Sequence, residues 1–161
     1  MKLDFKRKDA IAPALEVVGR VGVPSSSLIF NADVVALSGE PAPDFSIEDL
    51  LPVREAHPTA VLSLGAKMRF WNGDPGDLYT SSALDGFKAA ADRLGGPVTF
   101  ALRVDKVLRQ PEVVEALSDV AKRRNITLWN DRSVLPYTKL DLDVLRRIVR
   151  NGFFDFDETV V

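Results

Sequence analysis

Apolar and polar positions alternate in the first residues, Met1-Lys2-Leu3-Asp4-Phe5-Lys6. Lys2, Asp4 and Lys6 fall on one side of an extended segment, Leu3 and Phe5 on the other. The pattern then changes to a helical period. Asp9 is a candidate cap for a helix reaching about Arg20, with Ile11, Leu15 and Val18 as its apolar stripe and Pro13 in its first turn. Gly22 and Pro24 end that unit. Leu28 to Val35 is nearly continuous in apolar residues, as a parallel strand buried on both faces is, and Asn31 and Asp33 share one side of it.

The same order of elements recurs. Gly39 to Asp44 reads as a loop. Ser46 with Asp49 three positions later forms a capping-box pattern, and the helix it opens runs through Leu50, Leu51, Val53 and Arg54 to His57-Pro58. Ala60 to Gly65 is the third strand. Ala66 to Thr80 is the longest loop and carries Lys67, Arg69, Trp71, Asn72, Asp74 and Asp77. Ser81 or Ser82 is expected to cap the next helix, with Leu84, Phe87 and Ala91 inward and Gly95-Gly96-Pro97 as its stop. Val98 to Val104 is the fourth strand. Pro111 opens a helix with Val113, Val114, Leu117 and Val120 on its buried side, ended by Lys122, Arg123 and Arg124. Ile126 to Asn130 is the fifth strand. Leu142, Leu145, Ile148 and Val149 stripe the last helix, Gly152 closes it, and Phe153 to Asp157 is the sixth strand.

Six strands and five helices in alternation define an α/β fold with a parallel sheet. Two architectures fit: an open doubly wound sheet, or β/α units of a TIM-barrel type. A nucleotide-binding doubly wound sheet usually has a Gly-rich turn after its first strand, and here Lys6-Arg7-Lys8-Asp9 follows instead. Polar residues gather toward the carboxyl ends of the strands: Asp4 and Lys6, Asn31 and Asp33, Ser63, Arg103, Trp129 and Asn130, Asp155 and Asp157. That distribution favours the barrel type, whose active sites lie at that end. A closed barrel takes eight units and about 250 residues. The expectation is therefore a single β/α domain over residues 1–161, six-stranded, forming an incomplete or open barrel.

Composition narrows the function classes. The chain has 161 residues, 46% hydrophobic and 27% charged, which supplies a real core. Its net charge of -2 speaks against a general nucleic-acid partner. With no cysteine there is no disulfide, thiolate metal site or cysteine nucleophile, and the single histidine, His57, rules out a multi-histidine metal site within the chain. No apolar run approaches the roughly 20 residues that span a bilayer, and the start lacks a signal-peptide pattern. A cytoplasmic protein with no membrane partner is the default expectation.

The candidate chemistry has open alternatives. Asp4 and Lys6 suit an anionic, metal-assisted substrate, and suit a simple ion pair equally. Asn31 and Asp33 are a site pair or a satisfied structural pair. Arg103 grips an anion bidentately or neutralises an inward aspartate. Trp129 is a pocket wall or a core residue more readily than a stacking platform. Trp71 with Lys67 and Arg69 is a lid or a solvated loop. The run Lys122 to Arg124 reads as a solvated helix end, and His57 as structural or exposed. No Gly-rich phosphate loop and no Ser/His/Asp set is present, so nucleophilic catalysis is unsupported.

The opening strand Lys2-Leu3-Asp4-Phe5-Lys6 resembles the acidic-x-Lys strand of glycerophosphodiester phosphodiesterases. A wider set of stretches resembles the menorin family of that barrel superfamily. They are Phe30-Asn31-Ala32-Asp33-Val34-Val35, Val61-Leu62-Ser63-Leu64-Gly65, Leu78-Tyr79-Thr80, Phe100-Ala101-Leu102-Arg103 and Ile126-Thr127-Leu128-Trp129. The resemblance is colinear over almost the whole chain and implies its last six β/α units of a barrel. It implies that Asp4 stands where the superfamily has an acidic metal ligand, for a divalent cation such as Mg or Ca; such a cation wants several oxygens, and Asp33, Asp155 or Asp157 would add others if the barrel closed. It implies that Lys6 meets the substrate phosphate and is the one catalytic candidate, and that Trp129 and Asn130 lie near the pocket wall. Asn31 and Arg103 are matched without an assigned role and stand as substrate-binding candidates.

The superfamily's catalytic histidines and Glu-x-Asp metal pair have no counterpart here. His57, before Pro58 at a helix end, is expected at the wrong end of a barrel to replace them. The resemblance therefore implies a phosphodiesterase-type protein acting on a phosphodiester-type small molecule by metal-assisted hydrolysis, and inactive as this chain alone. The missing strands would come from an upstream segment or a second chain. The alternative expectation is a non-enzymatic binding or assembly module that forms homo-oligomers through open sheet edges.

Overall fold

A computed structural model describes residues 1–68, 79–118, 124–130, 139–149 and 153–155. The strands are β1 (Lys2–Asp4), β2 (Ile29–Val35), β3 (Val61–Ala66), β4 (Val98–Arg103), β5 (Arg124–Trp129) and β6 (Phe153–Asp155). The helices are α1 (Ile11–Val21), α2 (Ile47–Ala56), α3 (Ser81–Leu94), α4 (Val104–Arg109), α5 (Glu112–Ser118) and α6 (Lys139–Ile148).

The strands form one six-stranded sheet in the order β1-β2-β3-β4-β5-β6. Every neighbouring pair is parallel. This order decides between the two architectures. A doubly wound sheet reverses its strand order at a switch point, which sends helices to both faces. Here each strand is laid beside its predecessor without reversal. Right-handed crossovers then put the connecting helices on one face. The sheet is singly wound, as barrel-type sheets are, and the described strands leave it open with β1 and β6 at its ends.

The helix-covered face holds the core. Phe30, Leu62, Leu64, Phe100, Leu102 and Leu128 stand on it, none more than 1% exposed. They pack with Leu50 and Val53 of α2, Phe87, Ala90 and Ala91 of α3, Val113 and Leu117 of α5, and Leu145 of α6. Phe5 continues this side and stacks on Phe30 with ring centroids 5.8 Å apart. The opening alternation therefore holds: Phe5 is buried and Leu3 partly so, while Lys2, Asp4 and Lys6 are exposed. β1 is shorter than the alternating segment, but Phe5 still donates its N–H to the Asn31 carbonyl at 2.8 Å.

Several boundaries are corrected. Asp9 does not cap α1. It lies in a short 3-10 turn (Lys8–Ala10) and pairs with Arg7, and Ala10 takes the cap position. Gly22 ends α1 as expected, in the left-handed conformation at φ 73°. Thr80, one residue before the expected serines, caps α3 by accepting from the Ala83 N–H at 3.3 Å. β4 stops at Arg103, and Val104 opens α4, a sixth helix that the periodicity did not indicate. With Val104 and Val107 buried and no Gly or Pro between strand and helix, the apolar run reads as a longer strand. Arg124 opens β5 rather than closing α5. Arg69, Trp71, Asn72, Asp74, Asp77, Val120, Lys122, Arg123, Gly152 and Asp157 lie outside the described residues.

Candidate pocket at the carboxyl ends of the strands

The face without helices carries the polar residues. Because a strand alternates, burying Phe30, Leu62 and Leu64 under helices turns Asn31, Asp33 and Ser63 to the other side. The parallel register then aligns them: Asp4 opposite Asn31, Asn31 opposite Ser63, and Asp33 opposite Gly65. Hydrogen bonds join this row. Ser63 Oγ donates to Asn31 Oδ1 at 2.7 Å, and Asn31 Nδ2 donates to Asp4 Oδ1 at 2.9 Å. Lys6 Nζ completes it on Asp4 Oδ2 at 2.8 Å. The asparagine orientation follows: its oxygen faces the serine and its amide faces the carboxylate.

A cleft of about 160 Å³ opens beside this row. Lys2, Asp4, Lys6 and Asp33 supply its charge, and Asn31 lies between them. Ala101, Thr127, Trp129 and Asn130 line it from β4 and β5. Residues of β1 and β2 share one cleft with residues of β4 and β5 because the sheet curls. At roughly 30 Å³ per water, the volume suits about five waters or one small anion with a short substituent.

Among the acidic groups of the cleft, Asp33 is the perturbed one. Burial pushes its carboxyl above the ordinary range, against the pull of Lys6; Asp4 and Asp44 push the same way, and Lys67 opposes them. Its seat depends on Gly65, where a Cβ would collide with Asp33 Oδ1. Asp44 and Lys67 are themselves paired, Lys67 Nζ lying 2.6 Å from Asp44 Oδ1.

The sequence candidates separate. Asp4, Lys6, Asn31, Asp33 and Trp129 meet at the cleft, and Ser63 joins them through Asn31. Arg103 is not among the lining residues. It is 4% exposed, and its Nε and Nη2 grip Asp105 Oδ1 and Oδ2, each at 2.6 Å. Of its two expected roles, the geometry shows neutralisation of an aspartate, and that aspartate comes from α4 rather than from a strand. The side chain of Asp155 lies outside the described residues.

His57 is structural. It is buried at the amino-terminal end of β3, hydrogen-bonded through Nδ1 to Ser25 Oγ at 2.9 Å and packed on Phe30. One residue was missed as a support of the carboxyl end. Tyr79 is buried, accepts the Arg103 backbone N–H at 2.9 Å, and has its hydroxyl pKa pushed up by burial. Asn130, expected near the pocket wall with Trp129, lines the cleft, and its Oδ1 is buried without a hydrogen-bond partner among the described residues.

The cleft offers a divalent cation two carboxylates, Asp4 and Asp33. Calcium takes six to eight oxygens, while magnesium is often held by one or two carboxylates with water and phosphate. But Asp4 has Oδ1 on the Asn31 amide and Oδ2 on the Lys6 ammonium. Among the described residues no group of three or more His, Cys, Asp or Glu converges. This donor set does not fit a resident cation, because Lys6 already neutralises the one ligand on β1.

The fold and cleft define a singly wound α/β protein with a charged pocket at the carboxyl ends of its strands. A family model described as the Menorin N-terminal domain matches residues 1–151, so the chain belongs to the menorin family. No curated protein matches the chain. Among the described residues no helix is long and apolar enough to cross a membrane.

Proposed function

We propose that this chain supplies the phosphate-binding half of a phosphodiesterase-type site and has no turnover by itself. The observation that carries this is the cleft where Lys6 meets Asp4, Asn31 and Ser63 as one hydrogen-bonded row. Lys6 is mostly exposed, at 74%, and presents a movable ammonium at the cleft. An entering phosphate oxygen competes with the Asp4 carboxylate for it, and Asn31 keeps Asp4 held while Lys6 turns. In a complete phosphodiesterase site, the same ammonium would offset the charge gathering on the phosphate oxygens during displacement. The groups that donate and accept protons in such a reaction are not supplied by the cleft: its two carboxylates flank the lysines, and the one histidine lies at the opposite strand end.

The test pairs turnover with binding. Hydrolysis of bis(p-nitrophenyl) phosphate, with and without magnesium or calcium, should stay at the buffer rate while the chain still binds inorganic phosphate. Turnover that disappears in Lys6→Ala would show a complete site and overturn the reading.

A second reading follows from the sheet ends. β1 pairs only with β2 among the described residues, so its other edge offers backbone groups to a further strand. A binding or assembly module would use that edge to join a second copy. Light scattering separates the two: a concentration-independent monomer that binds phosphate favours the first, and a stable dimer without phosphate binding favours the second.

A further inference from the structure

The two carboxyls of the cleft are held differently. Asp4 is tied at both oxygens, to Asn31 and to Lys6. Asp33 lines the same cleft, and among the described residues no hydrogen bond or ion pair engages it. The register sets it opposite Gly65, and its Oδ1 takes the space that a Cβ on Gly65 would fill, so the carboxyl group itself lies on the helix-free side. The residue is partly exposed, and neither of its oxygens is sealed from solvent. The charges that face it are Lys6 and Asp4 from β1, Asp44 ahead of α2 and Lys67 after β3. Both cations are already paired, Lys6 with Asp4 at 2.8 Å and Lys67 with Asp44 at 2.6 Å. An ionised carboxylate can only accept hydrogen bonds, and keeping one half-buried without a donor is costly. Burial also raises the Asp33 pKa, which makes the carboxylate a stronger acceptor.

We infer that Asp33 sets the class of ligand: the cleft selects an anion that still carries a hydrogen, with one oxygen at Lys6 and its O–H donated to the Asp33 carboxylate. The inference rests on the anion-binding reading of the same cleft. At about 160 Å³, the cleft is small enough that an anion at Lys6 is a neighbour of Asp33. A phosphate or phosphate monoester has an O–H to give. Sulfate and a phosphodiester have none at neutral pH, and set acceptor against acceptor. A site with a fixed polar group rejects the analogue that lacks its partner far more strongly than size or shape could. In this chain alone the cleft therefore prefers the monoester, the kind of product that phosphodiester hydrolysis releases, over the diester.

Inorganic phosphate and sulfate test this directly. At roughly pH 8 an aspartate is ionised and both anions are tetrahedral dianions, but only phosphate keeps a hydrogen. Calorimetric titration of the intact chain should show phosphate binding at least about tenfold more tightly, the worth of one charge-assisted hydrogen bond against an unpaired acceptor. In Asp33→Asn the amide can donate to an oxygen without a hydrogen, so sulfate should gain affinity and the preference should fall to about one. Equal affinities in the unaltered protein overturn the inference and leave the anion-binding reading standing. A preference that survives Asp33→Asn does the same. Failure of both anions to bind removes both. The comparison in the unaltered protein decides the matter even where the asparagine variant does not fold.

Discussion

The two ends of the sheet treat their polar side chains in opposite ways. At the amino-terminal end, Arg54 of α2 spends its guanidinium on the backbone. Nη1 donates to the carbonyls of Pro58 and Ala60 at 3.0 and 2.8 Å, and Nη2 donates to that of Pro97 at 2.7 Å. Its Nε is left buried without a partner among the described residues, and His57 and Ser25 bond each other nearby. At the carboxyl end, side chains bind side chains: Lys6 to Asp4, Asp4 to Asn31, Asn31 to Ser63, Lys67 to Asp44. Backbone carbonyls cannot be exchanged for a ligand without undoing the fold. An exposed ammonium–carboxylate pair can. The proposed binding end is thus marked by what its polar groups hold, beyond how many there are.

This contrast should appear first in stability. Arg54→Ala removes the ties between the start of β3, the end of α2 and the turn before β4. It should cost about 3 kcal/mol, from several charge-assisted bonds lost together, without changing phosphate affinity. Urea denaturation and a phosphate titration on the same variant check both halves.

Gly65→Ala should come next, at about 1–3 kcal/mol, because its Cβ must push the Asp33 carboxyl aside. The cost should fall below about 1 kcal/mol in an Asp33→Ala background, where the obstacle is gone. Equal costs in both backgrounds would place the strain elsewhere.

Asp49→Ala should cost about 1 kcal/mol at neutral pH by uncapping α2, since Asp49 accepts from the Ser46 N–H at 2.7 Å. The hydrogen bonds from Lys8 and then Ser46 hold its carboxyl below the ordinary range. Its stabilisation is therefore present above the ordinary aspartate pKa and lost as pH falls through the lowered one. Asp33→Asn should act in the opposite sense. Burial raises the Asp33 pKa, so its carboxyl favours the fold at low pH and loses that advantage as pH rises through the raised value. The asparagine variant should gain stability at pH 7 and none at pH 3 in thermal melts.

Much of the fold was legible because strand and helix periods are local. Leu28 to Val35 and Val98 to Arg103 announce buried parallel strands, and Ser46 with Asp49 announces α2. The strand order was legible only as a choice between two windings, because crossover direction is a property of the packed sheet. α4 was hidden because Val104 and Val107 continue the apolar run of β4 with no turn residue between. Of the site, Asp4, Lys6, Asn31, Asp33 and Trp129 could be placed by alternation and resemblance. Arg103 stayed open between two roles because its partner, Asp105, lies two residues on in a helix that the pattern concealed. Gly65 looked like a strand end, and its role as the seat of Asp33 needs the β2–β3 register. Asn130 could be placed near the pocket wall, but its unsatisfied acceptor exists only relative to its surroundings.

The central claim is that Lys6 is the group an anion meets, with Asp4 as the partner it leaves. The pair is exposed, 74% for the lysine and 42% for the aspartate, so breaking it should change stability by only about 0–1 kcal/mol and leave binding cleanly readable. Calorimetric titration of ethylphosphonate into Lys6→Ala and Asp4→Asn tests this most directly, with Arg20→Ala on α1 as a control. The account predicts opposite signs: affinity falls at least about fivefold in Lys6→Ala, rises in Asp4→Asn because the competing carboxylate charge is gone, and is unchanged in Arg20→Ala. Weaker binding in Asp4→Asn, together with tight magnesium or calcium binding that the same substitution abolishes, would contradict it and make Asp4 a metal ligand.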